Sequence, residues 1–179
     1  MINKTALVFF LFVVFGSTIA FAQNSAPPLQ KACSFQLGAT IFAKWMTFQT
    51  NGIIGCPVNS EGEATYSPQG TTGGRWAQFS PGTVGVTDGY IIFADSGPHV
   101  GVAYIVHGCS YNIYNLLGST GGVFGFPVSD EYAVTGGTRQ DFEGGNIQYD
   151  SATGRCTPHL NQPTQTKKPA SRVKAVRPS

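Results

Sequence analysis

The chain writes the frame G-x-x-G-x-P-V-x-x-E twice, as GIIGCPVNSE at 52–61 and as GVFGFPVSDE at 122–131. An internal repeat restricts the possible folds strongly, because both copies must build the same supersecondary unit. At an offset of 70 residues Gly38 falls on Gly108, Thr50 on Thr120, Gly55 on Gly125, Pro57 on Pro127 and Glu61 on Glu131. After an insertion in the first copy the register resumes at an offset of 63, where Gly74, Phe79 and Gly82 match Gly137, Phe142 and Gly145. A second insertion, TVGVTDGY, precedes the apolar alternation Ile91 to Phe93, whose counterpart is Ile147 to Tyr149. The units span about 38–107 and 108–156.

Each unit has the same order of signals. IFAKWMTFQ and YNIYNLLGS carry apolar residues three and four apart, which predicts two or three turns of helix. Glycines and a proline then force a turn, since glycine permits positive φ and proline fixes its own. The residue between them, Cys56 or Phe126, is expected to point into the core. A glycine-led strand ends in Phe79 or Phe142, and a second strand covers Tyr90 to Ala94 or Asn146 to Asp150. The predicted class is mainly β with short helices (α+β), built from two hairpin-plus-helix units in a propeller-like or compact pseudo-symmetric arrangement.

The repeats occupy only the middle of the chain. Residues 1–22 have one Lys4, an apolar run and the small-residue site Ala20-Phe21-Ala22, the order of a secretory signal peptide cleaved after Ala22. The apolar run is short for a membrane span, and no basic stop-transfer cluster follows it. Residues 23–32 read as a linker, 33–160 as the folded domain and 161–179 as a disordered basic tail. Twenty-three glycines and 11 prolines with only 11% charged residues favour short strands and tight turns. The overall charge of +2 conceals a division: Gln30 to Leu160 holds five basic residues against nine acidic ones, a net of −4. The tail can contact an anionic polymer or simply solubilise. Nucleic acid is not an expected partner, given export and an acidic body.

GVFGFPVSDE followed by GGTRQDFEGGNIQYDSATG resembles the LGFP repeat. The second copy carries the motif at Gly125, Phe126, Pro127, Glu131, Phe142, Gly145, Ile147 and Tyr149, with Phe124 where Leu is usual. The first keeps Gly55, Pro57, Glu61, Phe79, Gly82 and Ile91, replaces the aromatic by Cys56 and holds both insertions. The resemblance implies a secreted or surface-attached module, similar to those appended to bacterial cell-wall enzymes, which holds a protein to wall glycan. Stacked or radial arrays usually need about three units to bury their faces. A chain with two must close its core in another way.

Cys33, Cys56, Cys109 and Cys156 offer one means, since an even count in an exported chain points to disulfides with three possible connectivities. By the repeat register CSFQLG leads into the first helix as Tyr104 to Gly108 leads into the second. The end of the second unit then lacks a following strand unless the N-terminal segment supplies it. That favours Cys33 with Cys156 and Cys56 with Cys109; the other two pairings stay open, as does a buried free thiol at Cys56.

The familiar hydrolase and nucleotide motifs are absent, no C-x-x-C spacing suggests zinc, and no cofactor or metal is expected. His107 beside Cys109 has no third orienting group to make it a catalytic pair. Glu61 and Glu131 are the carboxylates repeated at equivalent positions. They could serve as a glycosidase acid and base, but a Glu four residues after a turn proline more often pins the loop by accepting backbone N–H groups. For ligand contact the candidates are Tyr66, Arg75, Trp76 and Arg139, because aromatic faces stack on sugar rings and guanidinium forks reach hydroxyls. Trp45, spaced with Ile41 and Phe48, reads as core. The expected function is a secreted, non-catalytic module for cell-wall or extracellular polysaccharide. The rivals are a small glycan hydrolase using Glu61 and Glu131 and a ligand-free structural envelope protein.

Overall fold

A computed structural model describes residues 30–161, with the exception of 69 and 86. The segments expected to be a signal peptide (1–22), a linker (up to residue 29) and a tail (from 162) lie outside the described residues. The chain opens with a hairpin of β1 (Gln30–Ala32) and β2 (Phe35–Leu37), followed by α1 (Ala39–Gln49). Five strands come next: β3 (Ile54–Pro57), β4 (Gly62–Ala64), β5 (Gly74–Pro81), β6 (Gly89–Ala94) and β7 (Ala103–Val106). They form an antiparallel sheet in the order β3-β5-β6-β7, with β4 also paired to β5. After α2 (Gly108–Leu116) and a 3-10 turn at Ser119–Gly121 comes a second antiparallel sheet. It consists of β8 (Tyr132–Val134), β9 (Gly137–Phe142), β10 (Gly145–Asp150) and β11 (Arg155–Leu160), in the order β11-β10-β9-β8. The architecture is mainly β with two short helices, and neither sheet closes into a barrel.

Alternation along β5 and β6 serves two cores at once, because successive side chains point to opposite faces. Ala77, Phe79 and Ile91 face α1 and the N-terminal hairpin, where Ile41, Trp45, Ala32 and Leu37 complete one buried cluster. Ile92 and Ala94 face the other way, toward Tyr111 and Tyr114 of α2 and on to Phe124, Phe126, Phe142 and Ile147. Helix α2 therefore packs against both sheets. The second sheet needs no third layer. Its outward positions are Tyr132, Arg139, Asp141, Asn146 and Gln148, paired across β8, β9 and β10. A polar outer face of this kind is what allows a terminal layer of a stacked structure to stay in water.

The helices begin two and three residues before the sequence pattern suggests, at Ala39 and Gly108. The linker expected over 23–32 already contains β1. Asn161, expected to open the tail, is tied to the domain: its N–H donates to the Gly144 carbonyl at 2.9 Å and its amide to the Glu143 carbonyl at 3.1 Å.

The disulfide pairing differs from the expected one. Cys33 bonds to Cys56 and Cys109 to Cys156, with Cα separations of 5.9 and 6.0 Å. The expectation rested on a missing strand after β10, yet Arg155–Leu160 supplies that strand as β11 and carries Cys156 to the first turn of α2. The N-terminal segment, free of that duty, folds back on itself, and Cys33 in its turn sits beside β3. Cys56 is accordingly exposed and not a core residue.

Candidate functional site

The turn Phe124-Gly125-Phe126-Pro127 touches both sheets, at Gly74 of β5 and at Phe142 of β9. Gly125 has φ +65°, and a Cβ there would lie 2.5 Å from Glu143 Oε2. The Tyr114 hydroxyl donates to the Gly125 carbonyl at 2.8 Å, and the Phe126 N–H donates to Glu143 Oε2 at 2.9 Å. Glu143 Oε1 accepts the Thr72 hydroxyl from the first inserted loop. Phe126 is buried against Gly74, where a Cβ would come within 2.9 Å of the ring. Phe124 and Tyr114 both pack on Phe142, at 5.2 and 4.9 Å between centroids. Pro127 pairs with Phe142 as Pro57 pairs with Phe79.

At the first frame the contacts are similar in kind. Trp45 Nε1–H donates to the Gly55 carbonyl at 2.8 Å, and the Ser80 hydroxyl donates to the Cys56 carbonyl at 3.1 Å. The glutamates diverge. Glu61 Oε2 accepts the Gly38 N–H at 2.6 Å, at the head of α1, while Oε1 takes Arg75 Nε at 2.5 Å. Glu131 is half-buried and makes no hydrogen bond or ion pair to another described residue. The pinning role expected of both is therefore seen at Glu61 alone.

Between the first sheet and the turn that follows α2 lies a cleft of about 160 Å³. Strand register places Trp76 opposite Ile92, with Tyr90 two residues along, and these form one wall. The Trp76 ring stands edge-on to Tyr90 at 5.3 Å and 86°, with its Nε1–H donated to the Glu63 carbonyl at 3.0 Å. Tyr90 donates to Asn115 Oδ1 at 3.1 Å and packs on Tyr111 at 4.8 Å. Burial, and after it the neighbouring Tyr90 and Asp88, raise the Tyr111 hydroxyl above the usual tyrosine range. Thr65 and the segment Gly118 to Thr120 form the opposite wall. That segment is tightly turned, with φ +95° at Gly118 and +54° at Ser119. Gly121 lies flush on Thr65, where a Cβ would sit 2.7 Å from Cγ2.

The four residues singled out for ligand contact do not converge. Trp76 lines the cleft. Arg75, its neighbour on β5, points to the opposite face and is held by Glu61 and, at 3.4 Å, by Glu63. Tyr66 is exposed and covers Gly73, where a Cβ would fall 2.7 Å from its ring. Arg139 lies on the outer face of the second sheet, 2.6 Å from Asp141, which also accepts the Tyr132 hydroxyl at 2.7 Å. The hydrogen bonds to Asp141 raise both Arg139 and Tyr132. Sequence reading missed Tyr90, Ser119 and Glu143. Tyr90 could have been found from the period-2 pattern of GYIIFA, which puts it on the same face as Ile92.

A second hollow of about 130 Å³ is lined by Ile53, Val84, Thr87 and His107 among others. Among the described residues no group of three or more His, Cys, Asp or Glu side chains is placed to hold a metal. Nor is any described helix long and apolar enough to cross a membrane.

A search of the curated proteins finds no match to the chain. The model of the LGFP repeat family matches residues 124–159, from Phe124 of the turn to His159 in β11, and detects a single copy. The turn, its hairpin and the strand that follows are thus an LGFP repeat.

Proposed function

We propose that the protein is a secreted, non-catalytic module that attaches to cell-wall or extracellular polysaccharide. The observation that carries this reading is the cleft between the first sheet and the turn after α2, with an aromatic wall facing a wall of threonine and serine. Aromatic faces beside a few polar groups suit a ligand that is itself apolar on one side and hydroxylated on the other. The first sheet with α1 is, in this proposal, a diverged second copy in a pseudo-symmetric pair. The matching donors to Gly55 and Gly125 support it. So does the common strand order, since β5-β6-β7 pair as β9-β10-β11 do.

Glycan hydrolysis through Glu61 and Glu131 has less support. Both Glu61 oxygens are engaged, one by a backbone N–H and one by Arg75, and its side chain is only 7% exposed. A general acid or base has to reach its substrate. The discriminating experiment incubates the purified protein with insoluble wall glycan. Retention without release of reducing ends is expected. Release of reducing ends would replace the proposal by hydrolysis, and neither result would leave a structural role.

A further inference from the structure

We infer that the cleft between the first sheet and the turn after α2 is a subsite for one uncharged pyranose ring of the glycan, held against Trp76 and Tyr90 and fixed by the hydroxyls of Thr65, Ser119 and Thr120. The inference rests on the glycan-binding reading and adds the chemical class and the place of contact.

Size sets the first limit. A cavity of about 150 Å³ accommodates benzene, so a cleft of about 160 Å³ holds one six-membered ring, with the rest of the polymer outside its mouth. The polar handle of Trp76 is already taken by the Glu63 carbonyl, so its ring offers only apolar contact, as C–H faces of a sugar require. Tyr90 is likewise anchored through Asn115, which makes the wall preformed. A preformed surface loses less entropy on binding than one ordered by its ligand.

Charge sets the second limit. No residue lining the cleft is charged. A uronate or phosphate entering it would shed water with no cation to compensate. The body from Gln30 to Leu160, with nine acidic against five basic residues, adds no attraction for an anion at the cleft.

The third observation is Ser119. A non-glycine residue at φ +54° is strained, and glycine would relieve the strain. The hydroxyls of Thr65, Ser119 and Thr120 make no hydrogen bond to another described residue. A strained, hydroxyl-bearing position in the mouth of a cleft is where a side chain is kept for contact and not for stability.

The test uses the full mature chain with insoluble neutral glycans (cellulose, curdlan, mannan, chitin) and with immobilised polygalacturonate and alginate. Retention is measured with and without about 0.5 M NaCl, which screens charge contacts. Retention on at least one neutral polymer, unchanged by salt, is expected. Ser119→Gly and Thr65→Val should each weaken it about tenfold, a loss of one hydrogen bond's worth of affinity, while melting stays the same or rises. Trp76→Phe should weaken it as well and quench any ligand-induced change in tryptophan emission. Retention only on the anionic polymers, abolished by salt, overturns the uncharged-sugar subsite and leaves glycan binding standing. Undiminished retention of a neutral polymer by all three folded variants overturns the cleft as the place of contact. Failure of the wild-type chain on every polymer overturns both readings.

Discussion

The Tyr114 hydroxyl donates to the Gly125 carbonyl at 2.8 Å from a ring with no exposed surface. The bond joins α2 to the glycine of the LGFP turn, and Trp45 makes the corresponding bond from α1 to Gly55. Tyr114→Phe keeps the ring and its stacking on Phe142 but leaves a buried carbonyl unpaired. A loss of about 1–3 kcal/mol is expected in urea unfolding. Gly125→Ala should cost more than 1 kcal/mol on the order of the αL penalty, with added crowding at Glu143 Oε2, 2.5 Å from the new Cβ.

The same tyrosine predicts how stability responds to alkali. Burial first, then Glu143, raises the Tyr114 hydroxyl well above its usual range, and burial does the same at Tyr111. Both groups hold their protons in the folded chain after the unfolded chain has released them. Their contribution is complete below the unfolded tyrosine pKa of about 10 and is lost as pH rises through the folded values. Stability from pH 8 to 12 should therefore be flat and then fall, by up to about 1.4 kcal/mol per pH unit for Tyr114 and by less for Tyr111, which solvent screens. Tyr114→Phe should be less stable at pH 8 yet shallower in this fall. An equal slope in the variant would assign the alkaline loss to other groups.

Three glutamates that look similar in the sequence should behave differently. Glu143→Ala orphans the Phe126 N–H and releases Thr72, and Glu61→Ala orphans the Gly38 N–H and frees Arg75. Each should cost about 1–3 kcal/mol, the usual effect of an unsatisfied buried donor. Glu131→Ala should stay within about 0.5 kcal/mol, as expected where a side chain makes no specific contact. A larger loss at Glu131 than at Glu61 would contradict the assignment of the pinning role.

Local signals carried the turn and the hairpins, because glycine, proline and period-2 alternation act over a few residues. Gly125, Pro127 and the strand end Phe142 stand where those signals place them, while β5 runs two residues past the expected end at Phe79, to Pro81. What failed was set by contacts across the chain. Cys56 occupies a position that is aromatic in the second copy, yet it faces solvent because the N-terminal hairpin brings Cys33 to it. Glu143 holds the turn, but its counterpart in the first copy is Ser80, so a comparison of the units passes over it. The cleft gathers Trp76 and Tyr90 with Ser119 from another element, a meeting that no spacing within either repeat encodes.

The disulfides should prove unequal in a way that their places in the fold determine. Peptide mapping without reduction is expected to find Cys33 linked to Cys56 and Cys109 to Cys156. The sequence separations are 23 and 47, so loop entropy alone makes the second bridge worth more by about 0.6 kcal/mol, out of roughly 2–4 for each. Location adds to the difference. The strands tied by Cys33 also bury Ala32 and Leu37, which hold them to the first core after the bridge is gone. Strand β11 has exposed residues at every position but Cys156, so it depends on its ladder to β10 and on the bridge to α2. The Cys109→Ser, Cys156→Ser double variant should lose amide protection throughout Arg155–Leu160, with the first sheet still protected. The Cys33→Ser, Cys56→Ser variant should keep most of its protection at Leu37. Fraying confined to the N-terminal hairpin in both variants would mean that β11 is held by something other than its bridge.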